Sequence, residues 1–367
     1  MGTFYKLIQE RRIIMKNVCV LFGGKSSEFY VSCNSAYTVI TNIPREKYNV
    51  IPVGITQEGD WFYYADDIKL IPNAGWLESE KKYPASFLTN SIFPGLTVLR
   101  DEKIEQIAVD VVFPVLHGKN GEDGTLQGML DMLDIPYVGC GVAASALSMD
   151  KAYTKMIVSL LDIKQAPYVL LTSKNTAKEK RAKIEQSEKE IGYPMFVKPC
   201  KAGSSCGISK VKNKEELKQA VDKALKYDNK VLLEKAIVGR ELECAILDVG
   251  ELIPSRVGEI IVKDEFYSYN AKYSDPSSQT DTSPDLPEDI VEKIQDAACR
   301  IFRELDCRGL SRIDFFLEKD TGEIIFNEIN TLPGFTNISM YPMLMANIGY
   351  PLPKLVDKLI ESTYMNW

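Results

Sequence analysis

Two short runs near the C-terminal end restrict the architecture more than any other feature of the chain. Ser311-Arg312-Ile313-Asp314-Phe315-Phe316 and Ile325-Phe326-Asn327-Glu328-Ile329-Asn330 each alternate polar with apolar residues. A period of two marks a strand with one buried face. Lys319-Asp320-Thr321-Gly322-Glu323 between them is a glycine-containing connection of hairpin length. With Phe316 placed opposite Phe326, Asp314 faces Glu328 and Arg312 faces Asn330, all on one side. Two carboxylates facing each other alone would repel. Two acids, an amide and an arginine on one face instead suggest an all-oxygen Mg²⁺ site, with a cation for an anionic partner. Acids alone would read as the solvated face of an edge hairpin. The next residues shift that balance. Thr331-Leu332-Pro333-Gly334-Phe335 ends the strand in a Pro-Gly turn whose exposed backbone N–H groups can meet an oxyanion.

The combination of Arg312-x-Asp314 with Asn327-Glu328-x-Asn330-Thr331-x-Pro333-Gly334 resembles the C-terminal signature of the ATP-grasp enzymes. More closely, it resembles that of the D-alanine–D-alanine ligase family. Size and composition permit such a fold. The chain has 367 residues, 45% of them hydrophobic, enough for two or three domains with real cores. A net charge of −7 gives a nucleic-acid partner no electrostatic support. No apolar run approaches the ~20 residues of a membrane span. Eight cysteines without C-x-x-C spacing, and a single histidine, exclude an ordinary zinc site and do not resemble a disulfide framework. Reduced thiols and a cytoplasmic location are expected. Residues 1–14 read as an extension before Met15, with neither a myristoylation nor a secretory signal.

From Val18 the pattern is strand, glycine turn, helix. Val18 to Phe22 is continuously apolar, as in a strand buried on both faces. Gly23-Gly24 turn the chain, Ser26 or Ser27 can cap, and Val31 to Ile43 can form a helix. Further strands are expected at Val50 to Ile55 and Val109 to Pro114, giving an open α/β sheet with ligands beyond its carboxyl ends. The turn is not G-x-G-x-x-G, which weakens a dinucleotide site as the rival. Glu28, taken alone, is an acid favouring a helix N-terminus. Gly23-Gly24-Lys25-Ser26-Ser27-Glu28 matches the family's GG-x-S-x-E, however, which implies that Glu28 orients the ammonium of the first substrate. Phe29-Tyr30 departs from the charged residues of many relatives and is expected to alter the pocket's outer wall.

His117 to Gly128 carries four glycines after a strand, the composition of a functional loop. A lone histidine is more often structural, and no nucleophilic triad accompanies it. The loop matches the family's HG-x-x-GEDG-x-x-QG, which implies that His117 lines the substrate site.

The middle of the chain carries the phosphate chemistry. A helix is expected to start at Asp150, before Lys151, and Tyr193 to Pro199 reads as a strand delivering Lys198. Gly203-Ser204-Ser205-Cys206-Gly207 is a hydroxyl-rich loop able to cover phosphates, but it is not a Walker A sequence. The resemblance implies that Lys151, Lys198, Ser204 and Ser205 bind nucleotide phosphates. It places adenine along Glu234, Lys235 and Ile237, and ribose at Glu241. Glu234 taken singly would read as a salt-bridged acid on an edge strand. The polar stretch from Lys263 to Pro287 reads as a lid, with Lys272-Tyr273 matching the family's lid pair.

The resemblance spans nearly all of residues 15–360 and implies a three-domain α/β ATP-grasp ligase with an N-terminal Rossmann-like domain. Its parts are an N-terminal α/β substrate domain (15–139), a central subdomain (140–234) and a C-terminal subdomain with metal site and lid (235–367). The implied activity is ATP-dependent joining of two D-alanines through an acyl phosphate for peptidoglycan. A D-alanine–D-serine ligase of the vancomycin-resistance type is the alternative. Two Mg²⁺ (or Mn²⁺) ions are implied on Asp314, Glu328 and Asn330. The catalytic group is Glu28, Ser204, Tyr273, Arg312 and Gly334. Lys272 meets the transferring phosphoryl group and, like Arg312, binds substrate, while Ser339 and the Met340 backbone meet the second substrate's carboxylate. A flexible apolar Met340 offers a D-serine hydroxyl no partner, which favours D-alanine. A homodimer is expected, as in relatives. A non-catalytic amino-acid-binding protein would not need the metal constellation, and a biotin-carboxylase-like enzyme would lack the His117 loop and the Lys272-Tyr273 lid.

Overall fold

The computed structural model describes residues 15–88, 95–203, 206–261 and 279–364. Three sheets organise these residues. The first contains β1 (Lys16–Gly23), β2 (Tyr48–Ile55), β3 (Trp61–Tyr64), β4 (Lys82–Phe87), β5 (Leu96–Arg100), β6 (Lys103–Ile107) and β7 (Val111–Val115), in the order β6-β5-β4-β3-β2-β1-β7. Only β2, β1 and β7 run parallel. From β2 outward to β6 the sheet is an antiparallel meander, which hydrophobic runs alone did not reveal because β6 is short and largely polar.

Gly23 ends β1 at φ +84°, and a Cβ there would lie 2.2 Å from the Ile55 carbonyl oxygen. Only glycine fits this turn. Helix α1 (Phe29–Asn42) begins two residues before the expected Val31, with Glu28 in the capping position and no side-chain cap. Ser26 Oγ instead accepts from the Glu28 N–H at 3.1 Å. Phe29 is buried and Tyr30 is 52% exposed, so only Tyr30 can belong to an outer wall.

Next come α2 (Thr125–Met132), α3 (Val142–Met149) and α4 (Lys151–Val158). Asp150 caps α4 by accepting from the Ala152 N–H at 3.2 Å, in line with the expected helix start. The second sheet is antiparallel: β8 (Tyr168–Thr172), β9 (Met195–Pro199), β10 (Ser209–Val211) and β11 (Lys230–Lys235), ordered β10-β9-β11-β8. Helices α5 (Ala177–Glu190) and α6 (Lys214–Ala224) cover it. Leu217, Ala220, Val221 and Ala224 of α6 are buried at helical spacing in a core with Val197 and Leu233.

The third sheet holds β12 (Gly239–Asp248), β13 (Leu252–Ile261), β14 (Gln279–Asp281), β15 (Leu310–Glu318) and β16 (Ile324–Asn330), ordered β14-β13-β12-β15-β16. The outer part of the expected lid, to Pro287, therefore contains a short strand. Alternation along β12 divides two cores. Leu242, Cys244 and Ile246 pack with α7 (Glu288–Glu304). Ala245 and Leu247 pack with Tyr341, Leu344, Leu355 and Leu359, from α8 (Met340–Asn347) and α9 (Leu352–Ser362). That second cluster also contains Val18, Val20 and Phe22 of β1, so the C-terminal helices fasten the third sheet to the first.

Candidate active site

The hairpin of β15 and β16 sets Asp314 opposite Glu328 and Arg312 opposite Asn330. The Phe316–Phe326 pairing from which that arrangement was reasoned does not occur. Phe316 lies opposite Ile325, because the register shifts by one residue just beyond Asp314 and leaves Asn327 as a bulge. The bulge lets Phe315 and Phe326 both enter the core, edge to face with ring centres 6.1 Å apart, while the acids still face each other. It also aims Asn327 at the second sheet, where Lys198 Nζ lies 3.5 Å from Asn327 Oδ1.

Arg312 grips Asp314 with two parallel hydrogen bonds, Nε to Oδ1 and Nη2 to Oδ2, each 2.8 Å. Asn330 Nδ2 donates to Asp314 Oδ2 at 3.1 Å. Glu243, across the sheet from Asp314 on β12, lies 3.1 Å from Arg312 Nε. Burial alone would lower the Arg312 pKa, but Asp314 and Glu243 raise it well above the ordinary arginine value. Glu243 was not anticipated, although its two-residue spacing from Glu241 on one strand was a usable signal.

The residues expected to bind nucleotide approach this hairpin from the second sheet and from α4. Lys151, at the start of α4, reaches Glu328 at 3.3 Å and the Ala202 carbonyl at 3.2 Å. Lys198 on β9 pairs with Glu234 on β11. Glu234 also pairs with Lys155 at 2.6 Å, and its own side chain is 4% exposed. Burial would push the Glu234 carboxyl up, yet Lys198 and Lys155 hold it down at about 2. Glu234 is thus salt-bridged, but on an interior strand rather than an edge. Lys155 was not anticipated; its place four residues after Lys151 on α4 puts both ammoniums on one helix face. Lys198 also feels the charges of Glu328 and Glu241, which brings the expected ribose acid into the same field. Lys235 is exposed at the end of β11, 3.8 Å from Glu318, and half-buried Ile237 follows it.

The donor set suits a hard divalent cation, since Asp314, Glu328 and Asn330 offer oxygen ligands on one face. Among the described residues no three Asp, Glu, His or Cys side chains form a ready-made metal cluster. The amide oxygen of Asn330 is one more oxygen donor on the same face.

The residues expected to meet the amino acids lie on three loops. The Glu28 carboxylate lies against the backbone of Gly118 and of Gly203, each of which would place a Cβ 2.9 Å from Glu28 Oε2. His117 is buried, and its Nδ1 donates to the Leu332 carbonyl at 2.9 Å. Burial lowers the imidazole pKa despite Glu28 and that carbonyl, so the ring is neutral near pH 7. Its Nε2 is left as a buried acceptor without a partner among the described residues. Glu122, also unanticipated within its motif, accepts from the Gly118 N–H at 2.7 Å and the Leu332 N–H at 3.1 Å. Burial, with Glu28 adding, pushes its carboxyl up to about 8. The Phe335 N–H donates to Ser35 Oγ at 3.2 Å. Hydrogen bonds at Leu332 and Phe335 thus hold both flanks of the turn containing Gly334.

Ser339 Oγ stands 2.9 Å from where a Gly334 Cβ would be, and it bonds Thr336. Met340 is 3% exposed and packs against Gly258 and into the core. Its thioether is engaged in the core at Gly258, so the argument that it disfavours D-serine finds no support in its placement. Its backbone remains at the start of α8. Ser204, Ser205, Lys272 and Tyr273 lie outside the described residues.

Residues 17–140 match the family model described as D-ala D-ala ligase N-terminus, and residues 157–361 match D-ala D-ala ligase C-terminus. The chain belongs to the D-alanine–D-alanine ligase family. It is 46% identical over 357 residues to a D-alanine–D-alanine ligase of Acetivibrio thermocellus, covering 94% of this chain and 95% of the relative. A ligase of the same name from Caldicellulosiruptor bescii is 46% identical over 344 residues, covering 94% of each. Among solved structures, the VanG D-Ala:D-Ser ligase of Enterococcus faecalis superposes with a TM-score of 0.86 at 40% identity, covering 95% of this chain and 99% of that one. The Coxiella burnetii D-alanine–D-alanine ligase gives 0.83 at 32% identity, covering 96% and 94%. The ATP-grasp fold follows. As a member of this family the chain is a ligase, and none of its described helices is long and apolar enough to cross a membrane.

Proposed function

We propose that this chain joins two D-alanines in an ATP-dependent, ADP-forming reaction that serves peptidoglycan synthesis in the cytoplasm. The observation that carries the reading is the meeting of two half-sites. Lys151 and Lys198 meet the hairpin that carries Asp314 and Glu328, which supports a phosphate and cation centre there. Glu28, His117 and the turn at Gly334 come together beside it, which supports an amino-acid centre. The relatives named D-alanine–D-alanine ligase, 42–46% identical, support the choice of substrates.

Glu28 holds the ammonium of the first D-alanine, and neutral His117 borders the same subsite. Lys151, Lys198, Ser204 and Ser205 take the nucleotide phosphates, with adenine along Glu234 to Ile237 and ribose at Glu241. Asp314, Glu328 and Asn330 would hold two Mg²⁺ ions, whose charge would offset that of the phosphates. Lys272 neutralises the transferring group, and Tyr273 helps close the site against water that would hydrolyse the acyl phosphate. The amine of the second D-alanine then attacks the acyl carbon. Arg312 and the Gly334 N–H stabilise the oxyanion, and phosphate departs. Ser339 and the Met340 N–H hold the second carboxylate. The three-domain division proposed for the chain, with boundaries near 140 and 234, puts the cleft between its parts, and a homodimer is the expected assembly.

The test is phosphate release from ATP with D-alanine alone, with bicarbonate and with neither, followed by identification of the dipeptide. Release that requires D-alanine, with D-alanyl-D-alanine as product, is expected. Release with bicarbonate alone would refute the reading, and preference for D-serine in a mixed-substrate assay would move it to the resistance-type ligases.

A further inference from the structure

Glu234 is assigned to the adenine, and Lys198 to the phosphates, yet in this structure each is engaged with the other. The Lys198 ammonium is drawn toward this buried carboxylate, so giving its N–H donors to a phosphate loosens the pair. Lys155 makes that exchange possible. Its side chain is 3% exposed, its ammonium is 2.6 Å from Glu234 Oε1, and Lys198 approaches the other oxygen, Oε2. The Tyr168 ring, with its centre 5.4 Å from Lys155 Nζ, closes another side of the ammonium.

We infer that Lys155 is a positioning residue that keeps Glu234 ionised and in place while Lys198 is passed to the incoming nucleotide phosphates. This rests on the reading of the cleft as a nucleotide site. The charge count favours it. One carboxylate between two ammoniums leaves the trio with an excess positive charge, which an arriving phosphate balances. With Lys155 removed, transfer of Lys198 would strand a buried carboxylate, and a buried ion without its partner is strongly disfavoured. Glu234 would then hold Lys198 back or take up a proton, losing its acceptor for the adenine amino group. The backbone around Lys155 is fixed independently, since Gln165 Nε2 donates to the Lys155 carbonyl at 3.0 Å. The ammonium can therefore be altered without releasing the helix end.

The experiment measures the dissociation constant of the full-length protein for AMPPNP with Mg²⁺, alongside kcat and the KM for ATP. K155M should weaken AMPPNP binding and raise the KM for ATP by at least about tenfold, the scale of losing one partner of a buried pair, and kcat at saturating ATP should change far less. K155R, which keeps the charge, should retain more of the AMPPNP binding than K155M. In an E234Q background there is no carboxylate to compensate, so adding K155M should cause no further weakening. That arm remains decisive if K155M alone does not fold. Wild-type binding with an unaffected K155M overturns the inference alone, as does an equal loss in both backgrounds, the mark of lost packing. A wild-type protein that does not bind AMPPNP overturns the functional reading as well.

Discussion

Glu234→Gln removes one negative charge from between two buried ammoniums while keeping the shape of the side chain. The carboxyl moves from a reference of 4.5 down to about 2 in the folded protein. At ~1.4 kcal/mol per pKa unit this corresponds to about 3 kcal/mol. Its 4% side-chain exposure leaves little solvent screening to reduce that figure, and measured losses on breaking buried pairs, about 3–5 kcal/mol, are of the same order. The sign follows from the depressed pKa. Stabilisation is present in full above 4.5 and is lost as the pH falls through that value toward 2. Hydrogen exchange of the β11 amides reads the local effect, since β11 is an interior strand whose opening exposes the trio. At pH 7 the variant should exchange these amides about 10²-fold faster than wild type, the equivalent of ~3 kcal/mol. The gap should narrow below pH 4.5. A change under tenfold at pH 7, or a gap that persists undiminished near pH 2, would refute the reasoning about this trio.

Three further outcomes are expected. Glu328→Gln should lower turnover at saturating Mg²⁺ by at least ~10²-fold, the scale of losing one preorganised electrostatic group; near-normal turnover would return the hairpin to a solvated face. Lys272→Ala should retain ATP binding, measured by calorimetry, while ligation is lost and idle hydrolysis of the acyl phosphate rises. Loss of nucleotide binding with an intact catalytic step would contradict that role. Gly258→Ala would place a Cβ 2.6 Å from Met340 Sδ, so it should destabilise the fold by ~1–3 kcal/mol, as overpacking does. It should also raise the KM for the second D-alanine more than for the first, by displacing the start of α8. Met340→Ala in the same chain should relieve both effects, and additive losses in kinetics and melting would show that the contact is not the cause.

Much of the active site was legible in sequence because its chemistry is written in short local patterns. Alternation placed Arg312, Asp314, Glu328 and Asn330 on one face, and the glycine turn before Glu28 and the loop after His117 carried the family resemblance. The first strand was legible because burial on both faces leaves an unbroken apolar run, from Val18 to Phe22. What tertiary structure alone decided were pairings between distant segments. The bulge at Asn327 is chosen by the need to bury Phe315 and Phe326 together, a demand that neither strand expresses by itself. Lys155 and Glu243 look like ordinary surface charges until α4 meets β11 and β12 meets β15. Met340 looks available to a substrate until Gly258, 82 positions earlier in the chain, leaves room for its thioether in the core. Local pattern reports which face of an element is buried; only the assembled fold determines which partner waits there, because charge pairing and packing act between atoms that the sequence keeps far apart.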